Sequence, residues 1–163
     1  MTALLAEKHE GALGGSDSLR LWLRLLSTTM TIEKRVRRGL VERHRTTLPR
    51  FDVMAALDRS RDGMTMGGLS RMLLVSNGNV TTIVKALAAE GFVAVSPDPA
   101  DGRVARVALT SEGLAAFATL AEAHHGWIDS MFGGMVAEEQ VRLYALLGRL
   151  KQSVAAGAME DEK

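Results

Sequence analysis

The chain is 163 residues long, 47% hydrophobic and 24% charged, with a formal net charge of +1 and no cysteine. That length suits one compact domain with a real core, or one domain with dimerisation helices attached, and no apolar run approaches the roughly 18 residues that span a bilayer. The lack of cysteine excludes disulfides, thiolate zinc sites and cysteine-based redox sensing, while the near-zero net charge leaves attraction for a polyanion to local clusters.

Residues 1–16 include Gly11, Gly14 and Gly15 and show no sustained periodicity, which reads as a flexible arm. Glu7, Lys8, His9 and Glu10 lack the basic-then-apolar order of a signal peptide, so a cytoplasmic protein is expected. Asp17 or Ser18 can cap the next helix. Leu19, Trp22, Leu25, Leu26, Met30, Val36 and Leu40 trace an apolar stripe along a helix of roughly 18–45, long for a small domain. Such a stripe needs a partner, in this chain or another copy. Lys34, Arg35, Arg37, Arg38, Arg43, Arg45 and Arg50 crowd one region, opposed there by Glu33 and Glu42. The cluster suits phosphate contacts, or else is a solvated helix face.

Thr47-Leu48-Pro49 restarts the chain with proline at the first helical position. Phe51, Val53, Met54 and Leu57 form the inner face of a helix ending near Ser60, and Arg61-Asp62-Gly63 reads as a turn, with Met64 a minimal strand. A short apolar helix follows over Thr65–Leu74, with a break at Val75-Ser76. Ser76 then caps a second helix that closes at Glu90-Gly91. Val80, Ile83, Val84 and Leu87 share its inner face, leaving Asn77, Asn79, Thr81, Thr82 and Lys85 outside. Two helices joined by a tight turn read as a helix-turn-helix. Phe92–Val95 and Ala105–Leu109 are short strands around a turn-rich Ser96–Arg103, which makes a wing. Leu114, Phe117, Leu120, Ala121, His124 and Ile128 mark a further helix reaching Met131 or Phe132. Val141, Tyr144, Leu147 and Leu150 mark a last one over about 138–155.

Leu69-Ser70, Val75–Thr81, Glu90–Val93, Asp98–Arg103 and Leu109–Gly113, five motifs in order, resemble the winged-helix core of MarR-family transcriptional regulators. The resemblance covers residues 17–155 in layout and about 50–113 in motif. It implies a mainly α fold with a small β-wing: a DNA-binding winged helix-turn-helix over 47–110, flanked by helical dimerisation regions at 17–46 and 111–155, while Glu160-Asp161-Glu162 make 156–163 an acidic tail. In that family the terminal helices intertwine into a homodimer, whereas the periodicity alone also allows a monomer folded on itself.

Catalysis finds little support. The adjacent His124 and His125 point to different helix faces and cannot chelate one ion, and His124 reads as a partly buried seam residue. Gly67-Gly68 and Gly133-Gly134 lack the setting of a phosphate loop, and no serine stands in a nucleophile elbow. Neither an enzyme, a metal nor a cofactor is expected. DNA readout fares better. Asn can pair with adenine, Thr can donate, accept or touch a thymine methyl, and Lys can reach guanine or phosphate. Ser76, Asn77, Asn79, Thr81, Thr82 and Lys85 are the candidate contacts, and Gly78 would let the helix approach the groove closely.

For the wing, the resemblance implies that Asp101 braces the hairpin through an ion pair while Arg103 meets the minor groove or its phosphates. Gly102 replaces the family's usual arginine, and Val95 and Ser96 replace basic residues, so charge is lost; Arg106 would compensate if it points outward. Relatives commonly bind an aromatic carboxylate or its coenzyme A thioester between the dimerisation helices and the winged helix. The corresponding walls would be Trp22, Leu26, Met30, Phe51, Met54, Trp127 and Met131, which at helical spacing also suit plain core. Arg50 could pair the anion, or equally serve a phosphate contact or a surface ion pair. The expected partners are double-stranded DNA, a second copy of the chain and a small anionic effector, with no membrane. The rival reading is a winged-helix protein–protein adaptor without operator binding.

Overall fold

The structure, a computed structural model, describes residues 17–99 and 101–158. The expected N-terminal arm and residues 159–163 of the expected tail lie outside them. In chain order the elements are α1 (Asp17–His44), α2 (Leu48–Asp58), β1 (Met64–Thr65), α3 (Met66–Leu73), α4 (Asn77–Ala89), β2 (Val93–Pro97), β3 (Ala105–Leu109), α5 (Ser111–Phe132) and α6 (Ala137–Ala158). The expected fold class is the one found. Boundaries moved by a few residues: α6 runs on into what the sequence suggested was tail, and β2 takes in Ser96 and Pro97 from the expected turn.

Local chemistry accounts for the starts and stops. Thr47, in extended conformation, is the N-cap of α2, so Pro49 occupies the second helical position, one later than expected. Its missing N–H still falls among donors that a first turn leaves unpaired. Thr65 caps α3, its hydroxyl oxygen accepting from the Gly68 N–H at 3.1 Å. Met64–Thr65 is the minimal strand foreseen beside the wing, pairing Met64 with Val107 and Thr65 with Arg106. The sheet is antiparallel in the order β1-β3-β2, which makes β2 an edge and lets it end in Pro97.

The described residues divide into two compact units between His125 and Gly126, within α5. The first unit holds a single core. Leu40 of α1, Val53 and Leu57 of α2, Leu69 of α3, Val80 and Leu87 of α4, and Val107 of β3 are each at most 1% exposed. Burying a side chain of this size contributes about 1.5–3 kcal/mol, so α2, α3 and α4 are held as one block beneath the sheet. The N-terminal half of α1 is different: Leu19, Trp22, Leu26 and Met30 are exposed. The second unit comprises the end of α5 and α6, joined by a turn in which the Val136 N–H donates to Glu139 Oε2 at 3.0 Å. Along α6, Val141, Tyr144, Leu147, Leu150 and Val154 are exposed. Among the described residues no single helix is long and apolar enough to cross a membrane.

Candidate nucleic-acid interface

The site is organised by α4 and by what holds its two ends. At the N-terminus the Ser76 hydroxyl oxygen accepts from the Asn79 N–H at 3.4 Å. At the C-terminus Gly91 adopts φ +80°, and the Phe92 N–H donates to the Leu87 carbonyl at 2.9 Å, a left-handed stop that glycine takes without a Cβ clash. Val80, Val84 and Leu87 are buried, while Asn79, Thr82 and Lys85 are exposed. Thr81 and Ile83 sit half-buried at the flanks, so the outward face is narrower than the sequence pattern suggests. The Thr82 hydroxyl donates to the Gly78 carbonyl at 3.1 Å, which leaves its methyl and oxygen lone pairs for an outside group. A Cβ on Gly78 would meet nothing within 4 Å, so no packing inside the described chain requires glycine there.

A long-range ion pair ties α4 to α2. Arg50 NH1 donates to Glu90 Oε1 at 2.8 Å and NH2 to Glu90 Oε2, across 40 residues of sequence. Glu90 is the C-cap residue of α4. The hydrogen-bonded guanidinium holds the Glu90 carboxyl below its ordinary value, burial opposing it. Linkage follows from that depression: the pair's contribution is present above the unfolded carboxylate pKa and fades as pH falls through the lowered folded value. Arg50 was open in sequence to a ligand, a phosphate or an ion pair, and the last of these is what it makes. Its Nε is buried without a hydrogen-bond partner in the described chain.

The wing is braced differently from the sequence expectation. Asp98, only 8% exposed, accepts from Arg106 Nε at 2.8 Å, and Arg106 NH1 also donates to the Gly63 carbonyl at 2.9 Å. Arg106 therefore turns inward onto the hairpin and the turn before β1, and does not replace the lost wing charge. Asp101 is not the ion-paired brace. Its carboxylate accepts from the Arg103 N–H at 3.0 Å, a local turn bond that short aspartate side chains favour. The counting signal was available: Ser96 lies opposite Arg106 in the β2–β3 register, and Asp98, two residues on, shares that face diagonally. Arg103 remains exposed at the wing tip.

The basic region follows α1 into α2. Glu33 takes up Arg37 at 2.5 Å and Glu42 approaches Arg38 at 4.0 Å, exposed helix pairs of small worth that leave Lys34, Arg35 and Arg45 on the surface. The residues proposed as ligand walls are scattered in character. Trp22, Leu26 and Met30 are exposed, Phe51 and Met54 belong to the core, and Trp127 and Met131 are half-buried in the second unit. Phe51 packs its ring against Phe117 at 5.6 Å and His124 at 4.8 Å. Burial, reinforced by the neighbouring His125, pushes the His124 pKa down and favours the neutral ring. Among the described residues no group of three histidines and carboxylates could hold a metal ion.

Three comparisons place these features among known proteins. A family model described as "MarR family" matches residues 46–104. The transcriptional activatory protein BadR of Rhodopseudomonas palustris is 34% identical over 105 residues, which cover 63% of this chain; the chain spans 59% of that relative's length. A MarR family transcriptional regulator from Silicibacter pomeroyi superposes with a TM-score of 0.71 at 30% identity, over 86% of this chain and 99% of the other. The PcaV transcriptional regulator from Streptomyces coelicolor, solved in complex with its natural ligand, superposes with a TM-score of 0.63 at 21% identity over 85% and 94%, a likeness of fold.

Proposed function

The chain belongs to the MarR family of transcriptional regulators, and from that premise we propose that it binds a pseudo-palindromic DNA operator as a homodimer. Each α4 enters a major groove, about one helical turn from its mate. The observation that carries this is the exposed face of α4, with Asn79, Thr82 and Lys85 around an unobstructed Gly78, on a helix capped at both ends. A merely solvated face is usually built from Glu, Lys and Gln. Dimerisation is supported by the apolar side chains left in solvent on α1 and, separately, on α6, since contiguous exposed apolar surface marks an interface. The diverted Arg106 favours a second reading, an adaptor that docks proteins through the same fold.

Salt separates the two. Arg103→Ala should weaken duplex binding across sequences and lower the salt slope by about one phosphate contact per subunit. Asn79→Ala should cost roughly 1–3 kcal/mol at one base position in each half-site and leave the slope alone. Measured affinities indifferent to salt and to both substitutions would favour the adaptor.

Regulation extends the proposal. Repression suits a dimer that covers its operator, although the R. palustris relative is named for activation. With no cysteine in the chain, an effector acts by non-covalent occupancy, and a small aromatic acid or acyl-coenzyme A-like anion fits the chemistry. The orphan Nε of Arg50 supports an anion there, and such an anion would compete with Glu90 for the guanidinium. Displacement would release the C-terminal end of α4. Reciprocity then requires DNA to lower effector affinity by the factor with which effector lowers DNA affinity, typically about 1–3 kcal/mol. Titrating aromatic carboxylates and their thioesters against free and DNA-bound protein checks this: equal affinity in both states would remove the regulatory role, since it shifts no equilibrium.

A further inference from the structure

The turn between α3 and α4 places a bulky residue where the backbone favours a small one. Leu74 ends α3 with φ 54° and ψ 38°, in the left-handed region. The Val75 N–H donates to the Ser70 carbonyl at 3.2 Å, and the Ser70 hydroxyl donates to the Val75 carbonyl at 2.5 Å. Those bonds fix the backbone conformation, which glycine or asparagine adopts with least strain because a larger side chain crowds the following carbonyl. Gly63 and Gly91 occupy such positions elsewhere, as does Arg45 at φ 52°, whose long side chain carries its charge into solvent. Here the residue is leucine, and its side chain gains nothing from burial. It is 92% exposed, the most of any large apolar residue described, with Met72 and Val75 partly exposed beside it. Strain together with an unburied apolar group is retained against stability, and such departures cluster at functional positions.

Placement supplies the role. Leu74 lies two residues before Ser76, the N-cap of α4, at the end of the helix that docking puts deepest into the groove. Resting on the DNA reading above, we propose that Leu74 is a DNA-contact residue. Its isobutyl group packs against deoxyribose and a thymine methyl next to the first base read by α4. This contact is apolar and adds specificity without charge, in a protein whose wing carries little.

The test uses a duplex selected from a randomised pool by the unaltered full-length protein, with the same duplex carrying uracil for thymine. Leu74→Asn should keep or raise the thermal midpoint, because asparagine tolerates the left-handed region. It should weaken duplex binding by about fivefold or more, through lost apolar contact, with an unchanged salt slope. Leu74→Met, which retains the apolar surface, should bind like the parent, and uracil should weaken the parent but not Leu74→Asn. Parent-level binding by Leu74→Asn would overturn the inference while leaving DNA binding intact, and so would a reduced salt slope or a lowered midpoint. If the unaltered chain selects no duplex, the DNA reading itself fails and the contact with it.

Discussion

Arg106→Ala should destabilise the protein by about 2–3 kcal/mol, near the lower end of what breaking a buried ion pair costs. The substitution leaves the Asp98 carboxylate, 8% exposed, without its guanidinium, and it removes donors from the Gly63 and Asp62 carbonyls at 2.9 and 3.3 Å. Arg106 itself is 31% exposed, so solvent softens the effect. Asp98→Ala should cost a similar amount, and the double variant less than the sum, because each single change already breaks the pair. Urea or thermal unfolding reads the result. A loss below about 0.5 kcal/mol would mean that the pair behaves as an exposed one. Duplex affinity should fall as well, since the bond network fixes the hairpin that carries Arg103. Asp101→Ala should perturb only the turn and act more weakly.

Gly113→Ala should cost more, about 3 kcal/mol or above, at the upper limit of ordinary overpacking. A Cβ at this position would lie 1.9 Å from the Phe92 carbonyl oxygen and 2.9 Å from its carbon, both backbone atoms that cannot rotate away. The approach is close because Thr110 gathers three elements at one point. Its N–H donates to the Phe92 carbonyl at 3.1 Å, its hydroxyl donates to the Gly91 carbonyl at 2.7 Å, and its hydroxyl oxygen accepts from the Gly113 N–H at 3.0 Å. The start of α5 is thereby locked to the stop of α4 and to Phe92, the residue that leads into β2. Alanine would have to push these apart, so a fall in melting temperature of several degrees is expected, with weaker duplex binding. A variant as stable as the parent would show that the junction can relax.

These two sites also mark how far the sequence reaches. The caps of α4 were legible because Ser76, Glu90 and Gly91 act through bonds to residues three to five positions away. The core face of α4 was legible because Val80, Val84 and Leu87 repeat at the helical period. Leu109–Gly113 was legible as a motif, but its reason, the Phe92 carbonyl against Gly113, appears only once β2 and α5 are brought together. The sequence motif points to Asp101 as the brace, and only the folded hairpin brings Asp98 onto Arg106 in its place. Nothing local announces the Arg50–Glu90 pair, whose members are 40 residues apart. Leu74 reads in sequence as the end of an apolar helix. Its oddity lies in a backbone angle and an exposure that composition does not encode.

One titration decides whether a dimer binds duplex DNA sequence-selectively through α4. Selected and shuffled duplexes of equal length are titrated with the full-length chain across a salt series, with the mass of the complex recorded. Two chains per duplex and a steep fall of affinity with salt are expected. The selected sequence should be preferred by at least about a thousandfold at physiological ionic strength. Equal affinity for both duplexes at every salt concentration, or one chain per site, would contradict binding of that kind.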